Sequence, residues 1–86
     1  MTKPTIHSNG TAAEALVENY QDVMHCLRDL QKAMAKASPH GRDYYPQGDA
    51  ALTSAINEHR ARQTKIIDLQ AEYEELALHC VPHMYK

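Results

Sequence analysis

Ala13, Leu16, Tyr20, Val23, Leu27, Leu30, Met34 and Ala37 recur at alternating spacings of three and four. That is the period of one helix face and, sustained over this length, a heptad stripe. Val17 and Met24 widen it on one side. Thr11 and Glu14 form a capping-box pair, because hydroxyl and carboxylate can each satisfy a free N–H of an opening turn. Pro39 cannot continue a helix and biases Ser38 away from helical geometry. A first helix is therefore predicted over 11–37. Asp49 is a plausible cap for a second, predicted over 49–80 and ended by Val81-Pro82. Its stripe runs Leu52, Ala55 or Ile56, His59, Arg62 or Gln63, Ile66, Leu69, Tyr73, Leu76 and Cys80. The middle of that stripe is polar.

One break between two long helices predicts an all-α fold, an antiparallel helical hairpin. Residues 1–10 read as a flexible N-terminal tail, 38–48 as the connector and 81–86 as a C-terminal tail. A hairpin closing near residues 42 and 43 would set Cys26 and Leu27 level with His59, and Val23 level with Arg62. Two helices alone cannot bury a wide stripe on both, so homo-oligomerisation into a helical bundle is expected.

Composition narrows the function classes. The 86 residues make one domain with a small core, and the 43% apolar fraction contains no Phe or Trp. All five aromatics are Tyr, whose polar tip suits interfaces and ligand sites. A net charge of −2 argues against gripping a phosphate backbone, which needs clustered Lys and Arg. Nucleic acid is not an expected partner. No apolar run approaches bilayer length and the first residues lack a signal-peptide core, so no membrane partner is expected and the reading is cytoplasmic. Cys26 and Cys80 form no C-x-x-C pair and read as buried thiols.

The connector holds the densest chemistry: Ser38-Pro39-His40-Gly41-Arg42-Asp43-Tyr44-Tyr45-Pro46-Gln47-Gly48. Two Pro and two Gly shape its backbone, while His40, Arg42, Tyr44, Tyr45 and Gln47 are candidate ligand-binding residues. Arg42 offers a planar fork of donors for phosphate or carboxylate, and either Tyr can stack on a base. Gly48 precedes the free N–H groups of the second helix, where anions are favoured. The plainer reading pairs Arg42 with Asp43 and folds the two Tyr over the Ala-rich helix ends as a lid. His59 and Arg62, in the polar part of the stripe, either specify register or oligomeric state or reach an anionic ligand. Against that, Arg62 can extend to solvent while Ile56 and Ile66 carry the packing.

His79-Cys80-Val81-Pro82-His83 holds three potential zinc ligands in five residues, with His7 expected near the same end. The spacing matches no zinc module and Pro82 breaks helical alignment, so no metal site and no cofactor are expected. The chain has no G-x-S-x-G elbow, no Walker loop and no H-E-x-x-H, and Glu58-His59 lacks that motif's second His. It reads as not an enzyme, with no catalytic residues assigned.

Pro39-His40-Gly41-Arg42-Asp43-Tyr44-Tyr45-Pro46-Gln47-Gly48, with Ala55, Glu58-His59 and Arg62 downstream, resembles a set of small phage- and prophage-encoded helical proteins of unassigned function. These share a P-x-G-R-D-Y-Y-x-Q loop followed by an E-H-x-x-R helix. The likeness covers roughly residues 15 to 80, specific in the loop and loose in the helices. It implies that the loop and Glu58-His59-Arg62 belong to one pattern facing a common site. It also implies a genre, the phage accessory protein that acts on host machinery, but no mechanism. The pairing of aromatic and cationic groups in the connector of a mildly acidic chain leads to the expectation that it counters host defence by sequestering an anionic, nucleotide-like small molecule. Two alternatives stand beside it: an inhibitor that docks on a host protein, and a phage structural or assembly helper.

Overall fold

The computed structural model describes residues 1–84, which form helices and irregular chain only. Helix α1 spans Ala13–Lys36. Its cap is Ala12, whose carbonyl accepts the Leu16 N–H at 3.1 Å, with no side-chain cap. The expected Thr11/Glu14 box does not form because the helix opens one residue later than the box requires. The last turn closes through Ala37 N–H to the Met34 carbonyl (3.0 Å) and the Ser38 hydroxyl to the Ala35 carbonyl (2.9 Å).

The connector is more ordered than its turn-rich composition suggests. Gly41–Tyr44 makes a short helix, α2, and Tyr45–Gln47 a 3₁₀ turn. His40 caps α2, its Nδ1 accepting the Arg42 N–H at 3.1 Å. Gly48 follows at φ 96°, ψ 164°, a backbone region that is essentially glycine's alone. It turns the chain into α3, Asp49–Cys80, 32 residues and about 48 Å long. Gly48 holds the cap position and Asp49 is the first helical residue, so Asp49 contributes charge to the first turn and not a capping bond. A 3₁₀ turn over Val81–His83 ends the described chain near Met84. Tyr85 and Lys86, the end of the expected C-terminal tail, lie outside the described residues.

Helices α1 and α3 pair as an antiparallel hairpin. Ser38 Oγ lies 3.3 Å from His59 Nε2, and the Tyr20 and Tyr73 rings lie 6.0 Å apart. His59 thus stands level with Ser38 and not with Cys26 and Leu27, a displacement of about three helical turns. The cause is the connector: α2 and the 3₁₀ turn use its residues as further helical turns against α3, which moves the reversal toward Gly48.

The first ten residues are not helical, yet they are held. The Pro4 carbonyl meets His79 Nε2 at 2.8 Å, Lys3 Nζ pairs with Glu75 at 3.1 Å, and Ile6 is half-buried.

The hairpin's interior is narrow, because each helix has one long neighbour. Ala13, Val17, Leu27, Ala55, Ala77 and Cys80 are buried, with His59 among them at 8% exposure. Leu30 and Leu69, both on the expected stripes, are 43% and 37% exposed. Gln31, Gln63 and Gln70 are half-buried in positions nearer the contact line. Cys26 is exposed, not buried as its place in a helical pattern beside an apolar residue suggested. The rod measures 62 × 21 × 17 Å, with a radius of gyration of 18.9 Å where a compact chain of this length would have about 12 Å. It exposes 6393 Å², against about 5,100 Å² for a compact monomer of this mass. No helix among the described residues is long and apolar enough to cross a membrane.

Candidate ligand-binding site

A hollow of about 310 Å³ lies at the turn end of the hairpin. Ala37 and Pro39 bound it from the end of α1, and Tyr44 and Gln47 from the connector. The rest of the wall is α3: Ala51, Ser54, Ala55, Glu58, His59 and Arg62. Those six fall at offsets of three, four, seven, eight and eleven residues from the first, one helical face. Three alanines on the two facing helices leave the space that larger side chains would fill.

His59 forms the inner part of the wall. The Ser38 hydroxyl donates its single proton to the Ala35 carbonyl at 2.9 Å, so His59 Nε2, 3.3 Å from the same oxygen, is the donor of that pair. A Ser–His contact of this length resembles a nucleophile and its base, but here the proton runs the other way and the serine is not activated. With Nε2 committed inward, Nδ1 is the nitrogen left to meet a ligand. Arg62 and Glu58 are exposed and one helical turn apart, Tyr44 is half-buried, and Gln47 is exposed.

Chemically, the lining combines an inner imidazole with a guanidinium, a carboxylate, a phenol ring and a carboxamide. Arg62 suits phosphate or carboxylate oxygens. Glu58 accepts only, so it suits an N–H donor. Tyr44 offers an aromatic surface, and Gln47 can both donate and accept. Electrostatics favour anions at this end. Residues 32–62 carry Lys32, Lys36, Arg42, Arg60 and Arg62 against Asp43, Asp49 and Glu58, a local +2 within a chain of net −2.

Of the seven residues expected to share a site, Tyr44, Gln47, His59 and Arg62 line this hollow. Arg42 and Tyr45 line a different depression, of about 380 Å³, with Gly41, Gly48, Asp49 and Leu52. Successive residues of a helical turn point in different directions, so Tyr44 and Tyr45 cannot serve one pocket once the connector is helical. His40 belongs with Arg42: its Nδ1 accepts the Arg42 N–H and lies 3.4 Å from Arg42 Nε. Ser54 was not anticipated as a lining residue, and Glu58 was tied to the site only through the resemblance. The available signal was their spacing, since Ser54, Glu58 and Arg62 follow one another at four-residue intervals beside His59.

The opposite end of the rod has a different character. His79 and His83 have ring centroids 6.2 Å apart, and His79 is engaged with the Pro4 carbonyl. His7 packs beside Gly10. Among the described residues no three His, Cys, Asp or Glu side chains converge as a metal site would need. No family model matches the chain, and no curated protein or solved structure matches it.

Proposed function

We propose that this chain is a non-enzymatic binding protein that captures an anionic, nucleotide-like small molecule in the turn-end hollow. The observation that carries the reading is the meeting of Tyr44, Gln47, Glu58, His59 and Arg62 around about 310 Å³, at the low end of the range for small-molecule sites. Arg62 receives the anionic group, Tyr44 stacks on a base, Glu58 and Gln47 read its N–H edge, and His59 Nδ1 accepts a further N–H or O–H of the ligand. Function is stoichiometric capture, with no turnover. The resemblance to small phage- and prophage-encoded proteins supports a role against host defence, and the chain acts as a homo-oligomer. Native mass spectrometry of protein purified from bacterial cells tests this. Extra mass matching a nucleotide, lost in Arg62→Ala and kept in Arg42→Ala, is expected. A protein that carries nothing and gains no thermal stability from a panel of nucleoside monophosphates would sink the reading.

A second reading, docking on a host protein, is favoured by Tyr45. It is 77% exposed beside Arg42 and the apolar side of Leu52, and Tyr and Arg are frequent interface anchors. Loss of partner capture in Tyr45→Ala, with the hollow intact, is its expected signature.

A further inference from the structure

Two seven-residue series lead along the rod into the hollow. On α1, Leu16, Val23 and Leu30 continue to Ala37; on α3, Leu76 and Leu69 continue to Arg62 and then Ala55. Residues seven apart share a helix face, and Ala37, Arg62 and Ala55 all line the hollow. The five aliphatic residues therefore make one lateral strip, and the hollow opens at its end. Leu30 and Leu69 are 43% and 37% exposed, and Leu16, Val23 and Leu76 are only half-buried. The opposite flank differs: there α1 presents Glu14, Gln21, Arg28 and Lys32.

We infer that a second copy of this chain packs on the Leu16–Val23–Leu30 and Leu69–Leu76 strip and supplies the wall that the hollow lacks. The surface area supports this occupant. The chain exposes 6393 Å², roughly 1,300 Å² more than a compact monomer of its mass, and a standard interface covers about 800 Å² per partner. A hairpin of like length, laid along the strip, completes a four-helix bundle whose apolar positions are already in heptad register. The five aliphatic positions carry no charge, and the charges the second copy meets are Arg62 and Glu58 at the mouth of the hollow. Lying along the whole face, that copy also reaches the mouth between Ala37 and Arg62. This deepens the ligand reading by naming the missing wall, yet its test needs no ligand.

The test has two parts. First, light scattering coupled to size exclusion should give a multimer for the full chain and a 9.7 kDa species for Leu30→Glu, with helical circular dichroism unchanged. Ile67→Glu, at a 56% exposed position on the other flank, should leave the multimer intact. Should Leu30→Glu fail to fold, Leu69→Lys replaces it. Second, in a Cys26→Ser background, a Ser54→Cys thiol reports on the hollow through its reaction with a maleimide. It should react roughly tenfold or more slowly in the multimer than in the Leu30→Glu monomer, since a covered site reacts only when it opens. A chain that is monomeric at micromolar concentration overturns the proposal. So does a multimer broken by Ile67→Glu but not by Leu30→Glu, or a thiol reacting equally fast in both backgrounds.

Discussion

His59→Leu separates holding the fold from holding a ligand. The imidazole is 8% exposed between the helices, and its one inward hydrogen bond, to Ser38 Oγ, is 3.3 Å long. A bond of this kind contributes about 0.5–1.5 kcal/mol net. Its loss leaves no orphan, because the Ser38 proton already goes to the Ala35 carbonyl at 2.9 Å. Leucine has nearly the volume of histidine, and burying it contributes about 1.5–3 kcal/mol relative to exposure. The balance is a stabilisation of about 1 kcal/mol, which for a domain this small raises Tm by about 4–8 °C. Thermal and urea unfolding followed by circular dichroism read this, at one fixed protein concentration because Tm depends on concentration wherever chains associate. The same variant should lose any nucleotide that the unmodified chain carries. Destabilisation by more than about 1 kcal/mol would refute the ledger and make the Ser38–His59 bond a clasp for the turn. Higher stability with the ligand retained would remove His59 from the site.

Other predictions follow from single residues. Gly48→Ala should cost about 1–3 kcal/mol from backbone strain alone, since φ is +96° and an added Cβ meets nothing within 4 Å. Gly41→Ala, whose Cβ would sit 3.8 Å from Leu52 Cδ2, should instead stabilise by about 0.4–1 kcal/mol; paired urea titrations compare the two. In the Leu30→Glu variant, Cys26 should react readily with a thiol reagent while Cys80, 0% exposed, reacts only on unfolding, as peptide mapping after alkylation would show. His79→Ala removes the partner of the Pro4 carbonyl and should cost about 1 kcal/mol, with faster amide exchange over the residues that follow Pro4; unchanged exchange would mean that other contacts hold the segment.

The two long helices were legible because punctuation and period agreed. Pro39 and the Gly48/Val81-Pro82 pair bracket them, and α3 runs from Asp49 to Cys80 as expected. Register was not legible, since it depends on whether connector residues are spent in loops or in helical turns. Gly41-Arg42-Asp43-Tyr44 carries no period long enough to announce a helix, and His40 caps it through a ring nitrogen, an uncommon capping group. The stripe was right in outline and wrong at Leu30 and Leu69, because a seven-residue repeat drifts about 20° per heptad on a straight helix. Gln31, Gln63 and Gln70 lie nearer the contact line in consequence. Of the residues lining the hollow, Tyr44, Gln47, His59 and Arg62 stood out in the sequence by type, whereas their separation from Arg42 and Tyr45 arises from the helical connector.

The uneven placement of charge has a consequence for how other ions meet this rod. At physiological salt a charge is screened beyond about 8 Å, while the molecule is 62 Å long. A small anion near the turn therefore feels the local cationic balance and almost nothing of the carboxylates on the distant half. To such an ion the protein is basic, although its isoelectric point is near 6.3.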